Sequence, residues 1–117
     1  MNPQQRIKAI DDLSDEFSEL LQKKIIYDRK KNEQVISSTE LQERDEVIKK
    51  CTEVLERKNK LKSIFLRDLT KEFDEISEEI QSVNSSSLEA EEKQKKNAQL
   101  SDYTADIYLA ISRINRS

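Results

Sequence analysis

Apolar residues recur along this chain at the spacing of a single helical face. Ile7, Ile10, Leu13, Phe17, Leu20, Leu21 and Tyr27 follow one another mostly at intervals of three and four. That is the period of an amphipathic helix, not of a strand. Asn2-Pro3 makes a good start for it. Asn can cap, and Pro suits the first helical position, where its missing N–H costs nothing. The pattern predicts a helix over about 3–35, within a first segment 1–36.

Ser37-Ser38-Thr39-Glu40 interrupts the stripe. Ser37 and Glu40 have capping-box spacing, in which each side chain satisfies a free backbone N–H at the other residue. A second stripe then runs through Leu41, Val47/Ile48, Cys51, Val54/Leu55, Leu61, Phe65, Leu69, Phe73, Ile76, Ile80 and Val83. Leu69 to Val83 keeps the 4-3-4-3 rhythm of a heptad, whereas Leu61, Phe65 and Leu69 are spaced 4-4, a slip that changes local supercoiling. The acid-first pairs Asp45–Lys49, Glu46–Lys50, Glu53–Arg57 and Glu56–Lys60 would each add about 0.2–0.5 kcal/mol to an exposed helix. A helix over about 38–83 would be roughly 65–70 Å long. It forms a second segment, 37–84.

Asn84-Ser85-Ser86-Ser87 breaks the pattern again, because small polar side chains compete with helical hydrogen bonds. The weakly patterned stretch to about residue 100 reads as a polar linker, 85–100. Ser101 then reads as the cap of a short apolar helix, 101–117, carrying Tyr103, Ile107, Tyr108, Ile111 and Ile114. The fold class expected is all-α: an elongated helical hairpin or coiled coil with a short third helix.

Composition narrows this further. The 117 residues fit at most one domain. There is no Gly, so tight φ > 0 hairpins are hard to make and a sheet is not expected. Charged residues are 38% and hydrophobic residues 34%, too little apolar material for a round core but enough for a narrow interhelical seam. The net charge of −3 lacks the basic excess of a nucleic-acid binder. No apolar run approaches a membrane span or a signal-peptide core. The single cysteine, Cys51, cannot form an internal disulfide.

The chemistry that would make an enzyme is missing. The chain has no His, the commonest general base, and no glycine-rich phosphate loop. Glu72, Glu75, Glu78 and Glu79 could in principle act as acids and bases or hold a cation, but they read as a solvated face. Cys51 lies on the apolar stripe and reads as a packing residue. Arg57, Lys58, Lys60 and Lys62 make a basic run without interleaved aromatics for base stacking. No catalytic residue, metal ligand, cofactor or small-molecule substrate is therefore expected. The function expected is that of a non-catalytic structural subunit in a hetero-oligomer of helical proteins, with no direct nucleic-acid contact and no membrane insertion. Its partner interface is expected at Ile10, Leu13, Phe17, Leu20, Phe65, Leu69, Phe73, Ile76, Ile80 and Val83.

Met1-Asn2-Pro3, Arg6-Ile7-Lys8-Ala9-Ile10-Asp11-Asp12-Leu13, Glu16 and Leu20-Leu21-Gln22 together resemble the start of the eleventh subunit of the Mediator head module. The resemblance covers about a fifth of the chain. It implies a helical heterodimer with Mediator's twenty-second subunit, a role in RNA polymerase II transcription and a nuclear location, with the cytoplasm as the alternative. Ala105-Asp106-Ile107-Tyr108 with Ile111-Ser112-Arg113-Ile114 is similar instead to the junction where small outer-kinetochore coiled-coil subunits meet their heads. A third alternative is a small coiled-coil subunit of a vesicle- or lysosome-positioning complex.

Overall fold

A computed structural model describes all 117 residues, 89% of them helical and none in a strand. Three helices follow in order: α1 is Pro3–Asn32, α2 is Ser38–Asn84 and α3 is Ala90–Arg116. The all-α class follows from the continuous 3/4 periodicity, with no Gly and no Pro after Pro3 to interrupt the ladder. No helix is long and apolar enough to cross a membrane.

Local chemistry sets the helix ends. Asn2 Oδ1 accepts from the Gln5 N–H at 2.7 Å, and Gln5 Oε1 accepts from the Asn2 N–H at 2.8 Å. This reciprocal cap starts α1, with Pro3 at its first position. Arg29, Lys30 and Lys31 in its last turn face the negative end of the helix dipole. The helix ends at Asn32, short of the expected 35, because the chain turns back on itself. Gln34 takes φ 61°, the left-handed conformation usually left to Gly. The Val35 N–H reaches Lys30 O at 3.0 Å and the Gln34 N–H reaches Lys31 O at 3.1 Å, closing the last turn. The expected capping box then opens α2: Ser37 Oγ accepts from the Glu40 N–H at 3.1 Å, and Glu40 Oε1 from the Ser37 N–H at 3.4 Å.

At the far end of α2, Ser86 Oγ donates to Val83 O at 2.6 Å and satisfies one orphan carbonyl. The expected linker 85–100 and short helix 101–117 are corrected here. α3 has 27 residues, and Ser101 lies exposed inside it, not at its cap. The reason is a seam whose first positions are polar. Lys93, Asn97, Leu100, Thr104, Ile107, Ile111 and Ile114 are spaced 4-3-4-3-4-3 and are all half-buried or buried. Lys93 Nζ donates to Asn84 O at 3.3 Å and Asn97 Nδ2 to Asn84 Oδ1 at 2.7 Å, so tertiary contacts extend the helix over residues without apolar patterning. Glu91 and Glu92 in the first turn suit the positive end of the dipole.

The chain divides into two compact units. Ala9–Leu61 is a two-helix unit, formed by most of α1 and the first half of α2. Met1–Lys8 with Lys62–Ser117 is a three-segment unit, formed by the start of α1, the rest of α2 and all of α3. The boundary on α2 falls at the 4-4 slip in the apolar spacing. Ile10, Leu13, Cys51 and Val54 are buried in the first unit; Pro3, Phe65, Leu69, Ile76, Ile107, Ala110 and Ile114 are buried in the second. Each large apolar side chain so buried contributes roughly 1.5–3 kcal/mol.

Candidate interaction surface

In the two-helix unit the antiparallel pairing of α1 and α2 is fixed near the turn by charge. Asp28 accepts from Lys24 Nζ at 2.7 Å, one turn away, and from Arg44 Nε across the seam at 2.6 Å. Lys30 pairs with Glu40, and Tyr27 Oη donates to Glu43 at 2.8 Å. The Lys24 and Arg44 hydrogen bonds hold the Asp28 carboxyl below its ordinary range. Lys30, helped by the Ser37 N–H, does the same for Glu40. Glu43 holds the proton on Tyr27 and raises that phenol. Lys23, Ile26, Tyr27 and Lys30 of α1, with Glu43, Glu46, Val47 and Lys50 of α2, line an open groove of about 490 Å³ along one side of this pair.

In the three-segment unit, Arg6 is buried to 7% exposure. Its Nη1 and Nη2 donate to the two carboxylate oxygens of Glu72, both at 2.9 Å. This bidentate fork is the strong form of ion pair. Glu72 raises the Arg6 guanidinium above its ordinary value against the opposing effect of burial, with Asp68 and Tyr103 adding to the rise. Lys62 Nζ donates to Asn115 O at 3.3 Å, tying α2 to the last turn of α3. Thr70, Phe73, Tyr108 and Ile111 frame a shallow dimple between these helices.

The residues expected at a partner interface separate into two groups. Ile10, Leu13, Phe65, Leu69 and Ile76 are buried by the chain's own helices and offer no free surface. Phe17, Leu20, Phe73, Ile80 and Val83 are half-buried, and Phe73 sits against α3. The periodicity identified seam residues well, but it cannot say which helix covers a seam. The apolar residues that stay exposed include Leu21, Ile25, Ile26, Val35, Leu41 and Leu55 in the two-helix unit, and Tyr103, Tyr108 and Leu109 on α3.

Among the candidate chemical groups, Cys51 is buried on the seam. Glu72 is half-buried against Arg6, apart in role from the exposed Glu75, Glu78 and Glu79. No group of three or more acidic, Cys or His side chains is placed to hold a metal ion. The expected surface pair Asp45–Lys49 gives way to Asp45–Arg44 at 3.7 Å. The sequence reading missed Arg6, Lys24 and Arg44 as structural groups. The signal was present: each occupies a position where the 3/4 rhythm places an apolar residue. Comparison with family models, curated proteins and solved structures gave no match for the chain.

Proposed function

We propose that this chain is a non-catalytic structural subunit that assembles by packing its helices against those of other proteins. The observation that carries the reading is apolar surface left open on ordered helices. Tyr108 and Leu109, neighbours on α3, are 66% and 62% exposed. Large apolar residues grouped on an exposed helix face are costly in water and mark interaction sites. The polar groups held in place are bound to one another, in Arg6–Glu72 and Lys24–Asp28–Arg44, and perform structural work. The similarity of residues 1–22 to a Mediator head subunit makes an RNA polymerase II coactivator in the nucleus the first complex to test. The kinetochore-like segment is favoured less, since Ile107 and Ile114 are fully buried in the chain's own core.

Affinity purification of the tagged full chain, followed by mass spectrometry, tests this. Recovery of stoichiometric helical subunits is the expected result, with RNA polymerase II cofactors identifying the complex. Microtubule-binding or membrane-trafficking subunits would redirect the identity while keeping the structural role. Recovery of substrate-processing enzymes, or of no stoichiometric partner, overturns it.

A further inference from the structure

The two sides of the two-helix unit differ sharply in charge. Its seam runs through Ile10, Leu13, Phe17, Leu20, Lys24 and Tyr27 on α1, and through every third or fourth residue from Glu40 to Leu61 on α2. A helix advances about 100° per residue, so the residue before each seam position lies on one flank and the residue after it on the other. The groove described above is lined by preceding residues of both helices: Lys23 and Ile26 from α1, and Glu43, Glu46 and Lys50 from α2. Preceding residues therefore share one side of the pair, and following residues share the other.

The preceding side is charged almost throughout. On α1 it carries Asp12, Glu16, Glu19 and Lys23, followed by the exposed Ile26, and on α2 Glu43, Glu46, Lys50, Glu53, Arg57 and Lys60. The following side has no charge over its middle. On α1 it presents Ser14, Ser18, Leu21 and Ile25. On α2 it presents Ile48, Thr52, Leu55 and Asn59. Charge returns only toward the ends, at Asp11, Asp28, Asp45 and Lys62. Leu21, Ile25 and Leu55 are 39%, 50% and 40% exposed, so this neutral face carries three exposed apolar side chains, against Ile26 alone on the charged side.

We propose that this face pairs with the same face of a second copy, placing two α1–α2 pairs together as four helices. The occupant follows from charge. Flanking charges select hetero-partners along helical seams, and the middle of this face has none to offer. A neutral Leu/Ile/Ser/Thr surface is its own complement, as an isologous two-fold contact requires. Pairing through the charged side would take charges of both signs out of water, Glu16, Glu19, Glu43 and Glu46 together with Lys23, Lys50, Arg57 and Lys60. The neutral face excludes water without that cost.

Sedimentation equilibrium of the purified full chain, at several concentrations, reads the mass against 13.7 kDa for one copy. A reversible dimer is expected. Ser18→Glu with Thr52→Glu places charge on the neutral face at exposed polar positions outside the core. It should weaken the dimer at least about 100-fold with circular dichroism still helical. Lys23→Glu with Lys50→Glu, on the other side, should leave the dimer intact. A wild-type monomer at all concentrations overturns the proposal, and this includes the case in which the face serves a helix of another protein. A dimer that survives Ser18→Glu/Thr52→Glu, or one lost equally in the lysine variant, also overturns it. Leu55→Ser is a milder second variant, expected to weaken the dimer measurably, and an unchanged constant would count against the face.

Discussion

Glu72→Ala should destabilise the protein more than Arg6→Met, although both break the same ion pair. The Arg6 side chain is 8% exposed and that of Glu72 is 29% exposed. Removing Glu72 leaves a buried guanidinium with Asp68 as the remaining carboxylate nearby. Stranding a buried charge costs about 3–5 kcal/mol, and the help from Asp68 places this case near 3. Removing Arg6 leaves a carboxylate that water can reach, while Met refills the space of the arginine stem. That change should cost about 1 kcal/mol. Arg6→Met with Glu72→Leu strands nothing and should return to within about 1 kcal/mol of wild type. Urea unfolding followed by circular dichroism separates these cases, since 3 kcal/mol corresponds to a midpoint shift of roughly 1–2 M. A cost for Arg6→Met equal to or above that for Glu72→Ala would refute the reasoning. A double variant as weak as the sum of the two singles would do the same, because it would mean the pair has no coupling.

Gln34→Gly should stabilise the protein by about 0.5–1 kcal/mol, because φ 61° is strained for Gln and free for Gly, partly offset by Gly's larger unfolded entropy; a lowered urea midpoint would contradict this. Asp28 and Glu40 have folded pKa values below their ordinary 3.8 and 4.5. Their stabilising contribution is therefore complete above about pH 4.5 and is lost as pH falls through the folded values. Thermal unfolding measured down that range should show falling stability, with the fall reduced in Asp28→Asn, and an unchanged acid profile in that variant would remove Asp28 from the account.

The helices were legible wherever apolar residues marked the seam. Start signals at Asn2-Pro3 and Ser37/Glu40 then placed two of the three starts. The reading failed at residues 90–100, where Lys93 and Asn97 hold seam positions and their contacts to Asn84 replace apolar packing. Periodicity scores residue type, and a polar residue bonded across a seam looks the same as one in solvent. The interface was only half legible for a related reason. Leu69 and Ile76 carry the strongest heptad signal, and that signal reports burial without naming what does the burying. The covering helix in their unit is supplied by this chain itself. Beside the seam, Leu21 and Leu55 merge with the stripe in the apolar pattern and Ile25 stands outside it, and only the structure shows all three exposed.

The placement of charge in the two-helix unit explains why so thin a seam can specify one register. Between Ile10 and Val54 the buried apolar residues are few, and sliding α1 along α2 by one heptad would cost little apolar contact. The same slide would part Arg44 from Asp28 and Lys30 from Glu40, leaving half-buried charges without partners. Pairs of this kind add little net stability, yet they penalise the wrong alignment, which is the best-attested use of charge in a helical seam. The chain thus places charge where two of its own helices must be aligned, and covers one outer side with it. On the other side, over Ser14–Ile25 and Ile48–Asn59, it places none. A surface kept neutral in a chain that is 38% charged is a selective omission, and its physical consequence is that only another neutral surface can cover it without stranding charge.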